Sequence, residues 1–205
     1  MPSRFCEIYS LASAKELAEA AFRCLEAAGY SLYYPNTQEV CIWREGGQVR
    51  LRLDEFLDIV SDHSQPEMSF QMWLASGHDI VCCRSIRKNG VTLMIWMDGF
   101  SVARRLQFIQ FFLKAAQDES FPKSVGLIVD LNETALPDEW EQFFFSAGAC
   151  PKLSPDIVGV KRERCDRFKH QHPDPIVTEL GEYIVYSWVP LAEIGKAGGN
   201  GVASK

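Results

Sequence analysis

Two strand-like runs joined by a turn dipeptide place the strongest constraint on how this chain folds. Residues 80–88 and 91–97 are rich in β-branched and other apolar residues, and Asn89-Gly90 stands between them. An Asn-Gly pair between two such runs is a strong short-range signal of a β-hairpin with a two-residue turn. The sequence therefore predicts an antiparallel pair in which Asn89 and Gly90 form the turn with positive φ and their two neighbours face each other.

Shorter runs with strand-like patterns occur along the rest of the chain. The segment 48–53 places Val49, Leu51 and Leu53 on one side and arginines on the other, which is typical of a half-buried antiparallel strand. The segment 125–131 is apolar until Asp130, as expected of a central strand. The other predicted strands are 31–34, 39–43, 68–74, 156–160 and 182–189.

Capping signals and helical spacing predict the helices. Ser13 and Glu16 form a capping box ahead of a run that repeats apolar residues at helical spacing. Ser101 can cap a second helix, whose wide apolar arc indicates burial on two sides, either by the fold or by a partner. Pro137, with two acidic residues after it, begins a third. The predicted helices are 14–28, 101–117 and 137–147, with a short helix favoured at the ambiguous segment 54–60.

These patterns predict the α+β class, with an antiparallel sheet of several strands covered by about three helices. The apolar fraction of 47% and the charged fraction of 23% are ordinary for a globular protein. We expect one domain over residues 1–192, followed by a disordered Gly/Ala-rich tail over 193–205.

Composition argues against a membrane protein and against general affinity for nucleic acid. No run of about 18 apolar residues is present, and the N-terminal segment lacks the layout of a signal peptide. The net charge of -6 has the wrong sign for binding phosphate backbones, and Glu163 and Asp166 interrupt the basic residues of 161–169. We therefore expect a cytoplasmic protein that binds neither membranes nor nucleic acid.

Cysteine usage fits the same compartment. The seven cysteines are an odd number and contain no CxxC pair, so we expect reduced thiols that are buried as small hydrophobic groups. Cys165, His170 and His172 have the spacing C-x4-H-x-H, which matches no common structural zinc site. We expect no bound metal.

The sequence contains none of the motifs typical of P-loop, α/β-hydrolase or zincin enzymes. Acid–histidine neighbours occur at Asp62-His63 and His78-Asp79, but a triad depends on how the fold assembles its members in space. We therefore predict no catalytic residue and no cofactor. The enzyme alternative that stays open is a small soluble enzyme with a cleft near His63, His78 and Asp130.

A local concentration of acidic residues bears most directly on function. From Asp118 to Glu141, seven acidic residues stand against the single base Lys123. A local field of this kind steers a basic partner, although some of these acids simply flank helix ends. The predicted partner-binding residues are Asp130, Glu133, Glu139 and Glu141.

The order of hairpin, Asp98-Gly99 and amphipathic helix over residues 68–116 resembles small bacterial immunity proteins that are encoded beside toxins. The resemblance covers roughly a quarter of the chain. It implies a soluble, cytoplasmic, cofactor-free and acidic protein that blocks a toxin by covering the toxin's active site. That family shares no fixed inhibitory motif, so the resemblance assigns no site residue.

We therefore predict an immunity-type binding protein rather than an enzyme. Its acidic surface would neutralise a cognate toxin that presents a basic surface. A third alternative is a scaffold protein that self-associates through the helix around Phe108 and Phe112, so a homo-oligomer also stays open.

Overall fold

Eleven β-strands form one antiparallel sheet in the computed structural model, which describes residues 4–74, 77–146, 148–168 and 174–189. Their order across the sheet is β10-β11-β9-β8-β1-β7-β6-β5-β3-β4, and the short β2 pairs with β5. The predicted tail over 193–205 lies outside the described residues. The strands are β1 Phe5–Ser10, β2 Tyr30–Ser31, β3 Val40–Arg44, β4 Gly47–Leu51, β5 Glu67–Leu74, β6 Asp79–Arg87, β7 Gly90–Trp96, β8 Ser124–Asp130, β9 Ile157–Lys161, β10 Ile176–Leu180 and β11 Tyr183–Ser187.

Four α-helices and one 3₁₀ helix accompany the sheet, and they include the three helices predicted from the sequence. The predicted capping box is formed, because the Ser13 N–H donates to Glu16 Oε2 over 2.8 Å and the Glu16 N–H donates to Ser13 Oγ over 3.2 Å. Ser101 Oγ likewise accepts from the Arg104 N–H over 3.3 Å. The helices are α1 Ala14–Ala27, α2 Leu53–Ser61, α3 Val102–Gln117, α4 Pro137–Phe145 and the 3₁₀ helix Arg162–Arg167.

The predicted layout of several strands covered by about three helices is wrong. The eleven-stranded sheet dominates the fold, and helices are few beside it. The sequence patterns missed β1 and β10. Strand β1 lies between β7 and β8 in the middle of the sheet and is buried on both faces, but Glu7 interrupts its apolar run and conceals the strand.

The β6–β7 hairpin forms, with its turn one residue earlier than predicted. Arg87 pairs with Gly90, so Lys88 and Asn89 occupy the turn, and neither has positive φ. The shift moves each cross-strand pairing by two residues. Because side chains alternate with a period of two, every residue keeps its predicted face.

Packing, rather than turn geometry, requires glycine at position 90. A Cβ there would lie 2.4 Å from Phe145 Cε1 and 2.7 Å from the Ser10 carbonyl oxygen. We expect Gly90→Val to lower the free energy of unfolding by about 2–3 kcal/mol, because the added side chain forces α4 away from the sheet. Urea unfolding measures the loss, with Lys88→Val in the exposed turn as the control. Equal stability of Gly90→Val and the wild type would contradict this packing.

The helices cover the two faces of the sheet unequally. On the first face, α1, α2 and α3 form one core with the strands, and Phe108 and Phe112 of α3 are buried in it. The fold itself therefore covers the apolar arc of α3. On the second face, Trp140 and Phe144 of α4 pack with side chains of β1, β8, β9 and β11. That second core contains no buried residue of β3, β4, β5, β6 or β7.

Candidate functional site

On the second face of β7, β6, β5, β3 and β4, the described helices reach only the hairpin end of β6 and β7, where α4 borders Arg87 and Gly90, and we call this face the open face. Because side chains alternate along a strand, the pairing register assigns every second residue to this face. The intervening residues, such as Met68, Phe70 and Leu93, lie in the core on the other side. The residues of the open face are Cys41, Trp43, Gln48, Arg50, Glu67, Ser69, Gln71, Trp73, Asp79, Val81, Cys83, Ser85, Arg87, Gly90, Thr92, Met94 and Trp96. Among them, Cys41, Gln71, Ser85 and Thr92 are buried.

Aromatic side chains occupy one end and one edge of the open face. Trp73 packs edge-on against Tyr34 with ring centroids 5.0 Å apart, and the Arg50 guanidinium lies 4.0 Å from the centre of the Tyr34 ring. Trp96 is half-buried on β7 at the same end of the strands, and Trp43 on β3 is 46% exposed. Tryptophan, tyrosine and arginine are the residue types that contribute most to protein–protein interfaces.

A hydrogen-bonded row of polar side chains crosses the middle of the open face. Gln48 Nε2 donates to Gln71 Oε1, and Gln71 Nε2 donates to Asp79 Oδ2. Gln71 is buried, so these bonds satisfy an amide that would otherwise be costly to enclose. The row links β4, β5 and β6, and it therefore presents ordered rather than freely rotating polar groups.

A cluster of charged side chains lies at the other end of the open face, where α4 meets the sheet. The Arg87 guanidinium lies 3.1 Å from Glu67 of β5 and 2.8 Å from Glu141 of α4. Glu7 of β1 lies on the same side of the sheet, paired in register with Met94, and accepts a 2.6 Å hydrogen bond from the Tyr9 hydroxyl. We call Glu7, Glu67, Arg87 and Glu141 the Arg87 cluster. It joins the open face to the acidic side of α4.

Burial determines the protonation behaviour of this cluster. Desolvation raises the pKa of Glu7 to about 7, although hydrogen bonds from Tyr9 and Thr92 and the charge of Arg87 all favour the ionised form. Desolvation also raises the pKa of Glu141, while the neighbouring Arg87 opposes that rise. Burial therefore shifts the carboxyl groups of Glu7 and Glu141 toward their protonated forms.

The four predicted acidic residues do not form one surface. Glu139 is exposed on α4, and Glu141 lies in the Arg87 cluster at the border of the open face. Glu133 follows β8 with a φ of 61° and pairs with Arg4 over 3.8 Å. Asp130 has no exposed surface at all. The border of α4 therefore keeps the predicted acidic character, whereas Asp130 lies outside any contact surface.

Asp130 organises the loop that follows β8. Its two carboxylate oxygens accept hydrogen bonds from the backbone N–H groups of Asn132, Thr134 and Ala135 over 3.3, 3.2 and 2.8 Å. Asp156 reinforces the same loop by accepting from the Leu131 N–H over 2.6 Å. These bonds explain an acidic residue at the end of a buried strand without any role in binding.

The three residues of the proposed enzyme cleft lie on three different segments of the fold. His63 follows α2, His78 lies in the β5–β6 connection, and the Asp130 carboxylate is enclosed by its own loop. Five prominent cavities, of about 370 to 690 Å³, are lined by none of the three residues. The structure therefore does not bring these side chains to a shared cleft among those cavities.

Burial limits the nucleophilic character of three cysteines. It raises the pKa of the Cys6, Cys82 and Cys83 thiols above the ordinary value. His170 and His172 of the weak zinc motif lie outside the described residues. Within the part of the chain that is described, no group of three metal-ligating side chains comes together.

The basic residues of 161–169 have structural partners. Lys161 pairs with Glu182, and Arg162 pairs with Glu179 over 2.9 Å. Arg167 donates to the carbonyl oxygen of Ser146 over 3.3 Å. Lys169 lies outside the described residues. These contacts anchor the 3₁₀ helix and the loop after α4.

A sequence signal for the open face was present in β5. Its residues alternate between polar or aromatic side chains, Glu67 to Trp73, and the apolar set that begins with Met68. This alternation indicates that one face of the strand is buried and the other points to solvent. It does not reveal that no helix covers the solvent-facing side, because the placement of helices depends on long-range packing.

No known family model, curated protein or solved structure matches this chain. Among the described residues, no helix combines the length and apolar character needed to cross a bilayer.

Proposed function

We propose that this chain is an immunity-type binding protein that neutralises a cognate toxin by protein–protein contact. The observation that carries the proposal is the open face, where half of one side of the sheet lacks a helix and presents aromatic and ordered polar side chains. A monomeric sheet with such a surface usually buries it, so its exposure favours a partner that completes the layer. The partner would cover the open face and the adjoining side of α4.

Charge supports a basic partner. Asp138 and Glu139 are exposed in the first turn of α4, and the Glu67 side chain is 59% exposed at the nearby end of β5. The whole chain carries a net charge of -6. Acidic groups at the rim of a binding surface accelerate encounter with a basic protein and fix its orientation. Toxins that act on nucleic acids or nucleotides present basic surfaces of this kind.

The free thiols support a reducing compartment. Disulfides are rare in the cytoplasm, and Cys6, Cys41, Cys82 and Cys83 are reduced thiols in the structure. Neutralisation inside the producing cell, where the toxin is made, is therefore the setting that we propose. The partner contact needs no cofactor, since the open face offers complementary side chains rather than a reactive centre.

Binding to the protein encoded by the neighbouring gene tests the proposal. We expect a complex with a Kd below about 1 µM that abolishes the toxicity of that protein. Glu139→Lys, and a rise from 0.1 to 0.5 M NaCl, should each slow association, the salt by about tenfold, because rim charges are screened. Arg44→Gln, which changes an exposed charge in the β3–β4 hairpin, serves as the control. A failure to bind together with undiminished toxicity would overturn the proposal.

A further inference from the structure

We propose that the groove between α1 and α3 binds a long-chain fatty acid, with its carboxylate beside Arg23 and Lys114 and its alkyl chain along Phe111. The groove lies in the helical layer on the first face of the sheet, whereas the open face is on the second. Such a site is separate from the proposed toxin contact and can be tested on the free protein.

Two adjoining cavities form the groove. The first has a volume of about 610 Å³ and the second of about 370 Å³, and Phe111 of α3 lines both. Ala27 lines the first cavity and its neighbour Ala28 lines the second, so the cavities meet at the end of α1. Volumes of this size are typical of small-molecule sites.

Helical spacing turns one side of each helix toward the groove. On α1, the lining residues Ala20, Cys24 and Ala27 follow one another at spacings of four and three residues, which places them on one side of the helix. Phe111 and Ala115 are related in the same way on α3. Because most of these side chains are small, the two helices leave space between them instead of filling it.

The second cavity extends from the helices to the sheet. Tyr30 of β2 and Leu74 of β5 line it together with Phe108 of α3. The Tyr30 and Phe108 rings are buried and pack edge-on with centroids 6.2 Å apart. An alkyl chain is thin enough to enter between two helices and reach these strand residues, whereas a docked helix, about 10 Å wide, is not. The lining therefore favours a single flexible chain over a helical segment of a partner protein.

Two cations mark the end of the groove that would hold the carboxylate. Arg23 and Lys114 line the first cavity, are exposed, and form no ion pair with another described residue. Ser120 adds a hydroxyl group to the same lining. Asp118, at the C-terminal end of α3, is the one acidic residue that the described chain contributes there, so the first cavity keeps a net positive charge. This charge favours a carboxylate over a cationic head group.

Arg104 closes the far end of the second cavity. Its guanidinium lies 4.6 Å from the centre of the Phe100 ring and donates to the Tyr30 hydroxyl over 3.3 Å. Because this cation is already engaged, we place the carboxylate at the Lys114 end. Ten residues of α3 separate Lys114 from Arg104, a distance of about 15 Å along the helix axis, which is the length scale of an extended dodecanoate chain.

Isothermal titration calorimetry with sodium dodecanoate, kept below its critical micelle concentration, tests the site. We expect one molecule to bind per chain with a Kd of about 100 µM or tighter. Dodecyltrimethylammonium, which has the same chain and a positive head group, should bind at least about tenfold more weakly. Equal binding of the two amphiphiles would overturn the proposal. The absence of dodecanoate binding would also overturn it and would leave a partner segment as the occupant of the groove.

Charge substitutions in the groove should act in opposite directions. Arg23→Gln combined with Lys114→Gln should weaken dodecanoate binding at least about tenfold, because both partners of the carboxylate are lost. Asp118→Asn should strengthen it about two- to threefold by removing a repulsion. Lys15→Gln, which removes an exposed charge of α1 outside the groove, is the control and should leave the Kd unchanged. A loss in Lys15→Gln as large as that in the double variant would contradict a localised site.

Ala27→Phe tests the path of the alkyl chain. Ala27 is exposed where the two cavities meet, so a phenyl group there should fill the groove and weaken binding at least about tenfold while the protein stays folded. Glu26→Phe adds the same group outside the groove and should bind dodecanoate as the wild type does. Circular dichroism checks that both variants are folded. Undiminished affinity in folded Ala27→Phe would overturn the proposal. Because no toxin is present, that result leaves the test of toxin binding unaffected.

Discussion

Asp130→Ala is expected to lower the free energy of unfolding by about 4 kcal/mol, the largest single effect that we predict. The substitution removes a fully buried acceptor and leaves the buried Ala135 N–H and the Thr134 N–H without this partner, whereas the Asn132 N–H still donates to Asp156. An enclosed donor costs about 1–3 kcal/mol when it is left unsatisfied, and the lost charge-assisted hydrogen bonds and the cavity left by the side chain add to that cost. Urea unfolding at neutral pH measures the loss.

Glu139 supplies the matched control for this prediction. It belongs to the same acidic stretch but is exposed on α4, so Glu139→Ala should cost less than about 1 kcal/mol. Similar effects of the two substitutions would show that the loop does not depend on Asp130. For the same reason, charge reversal at Asp130 reports folding rather than binding, and tests of the acidic surface should use Glu139 instead.

Glu7→Gln is expected to change the free energy of unfolding more favourably at pH 8 than at pH 4, with a difference of about 3 kcal/mol between the two pH values. The folded protein holds the Glu7 proton more tightly than the unfolded chain does, because burial raises the pKa from 4.5 to about 7. In the wild type, the contribution of Glu7 to the free energy of unfolding is therefore greatest below about pH 4.5. It falls as the pH rises to about 7 and stays constant above pH 7. Glutamine cannot ionise, so this decline should be absent from the variant.

Urea unfolding of both proteins from pH 4 to 8 measures this difference. Glu139→Gln is the control, since an exposed carboxylate should not reproduce the slope. Parallel stability curves for Glu7→Gln and the wild type would contradict a raised pKa for Glu7.

Local signals predicted the helices well, because their determinants lie within a few residues. The capping box of Ser13 and Glu16 and the start of α4 at Pro137 both form as expected. The hairpin was also found, although its turn lies at Lys88 and Asn89 instead. An Asn-Gly pair favours one turn type, but the close approach of Phe145 to Gly90 is a long-range contact that sequence patterns do not show.

The central strand was missed for a physical reason. Strand β1 is buried on both faces, and such strands usually appear as unbroken apolar runs. Glu7 breaks the run, so the pattern was lost at the residue with the most unusual environment in the sheet. An acidic residue inside an otherwise apolar six-residue segment is a signal of a strained or functional position.

The proposed binding surface could be predicted only in part. Acidity near α4 was visible in the sequence, and Glu141 lies at the border of the open face, where it contacts Arg87. The aromatic side chains of that face come from β3, β5 and β7, which are far apart in sequence and meet only through the register of the sheet. In the sequence, Asp130 looks like the other acidic residues of the same stretch. Only the structure shows that Asp130, unlike Glu139, is fully buried.

The affinity of the cognate toxin for Trp43→Ala, compared with Val177→Ala, tests the central claim most directly. Trp43 is 46% exposed on the open face, and Val177 is 55% exposed on β10 near the opposite edge of the sheet. If the open face is the binding surface, Trp43→Ala should weaken binding at least about tenfold, as expected for an aromatic anchor, and Val177→Ala should leave the Kd unchanged. Equal affinities for Trp43→Ala and the wild type, or a loss confined to Val177→Ala, would contradict the claim.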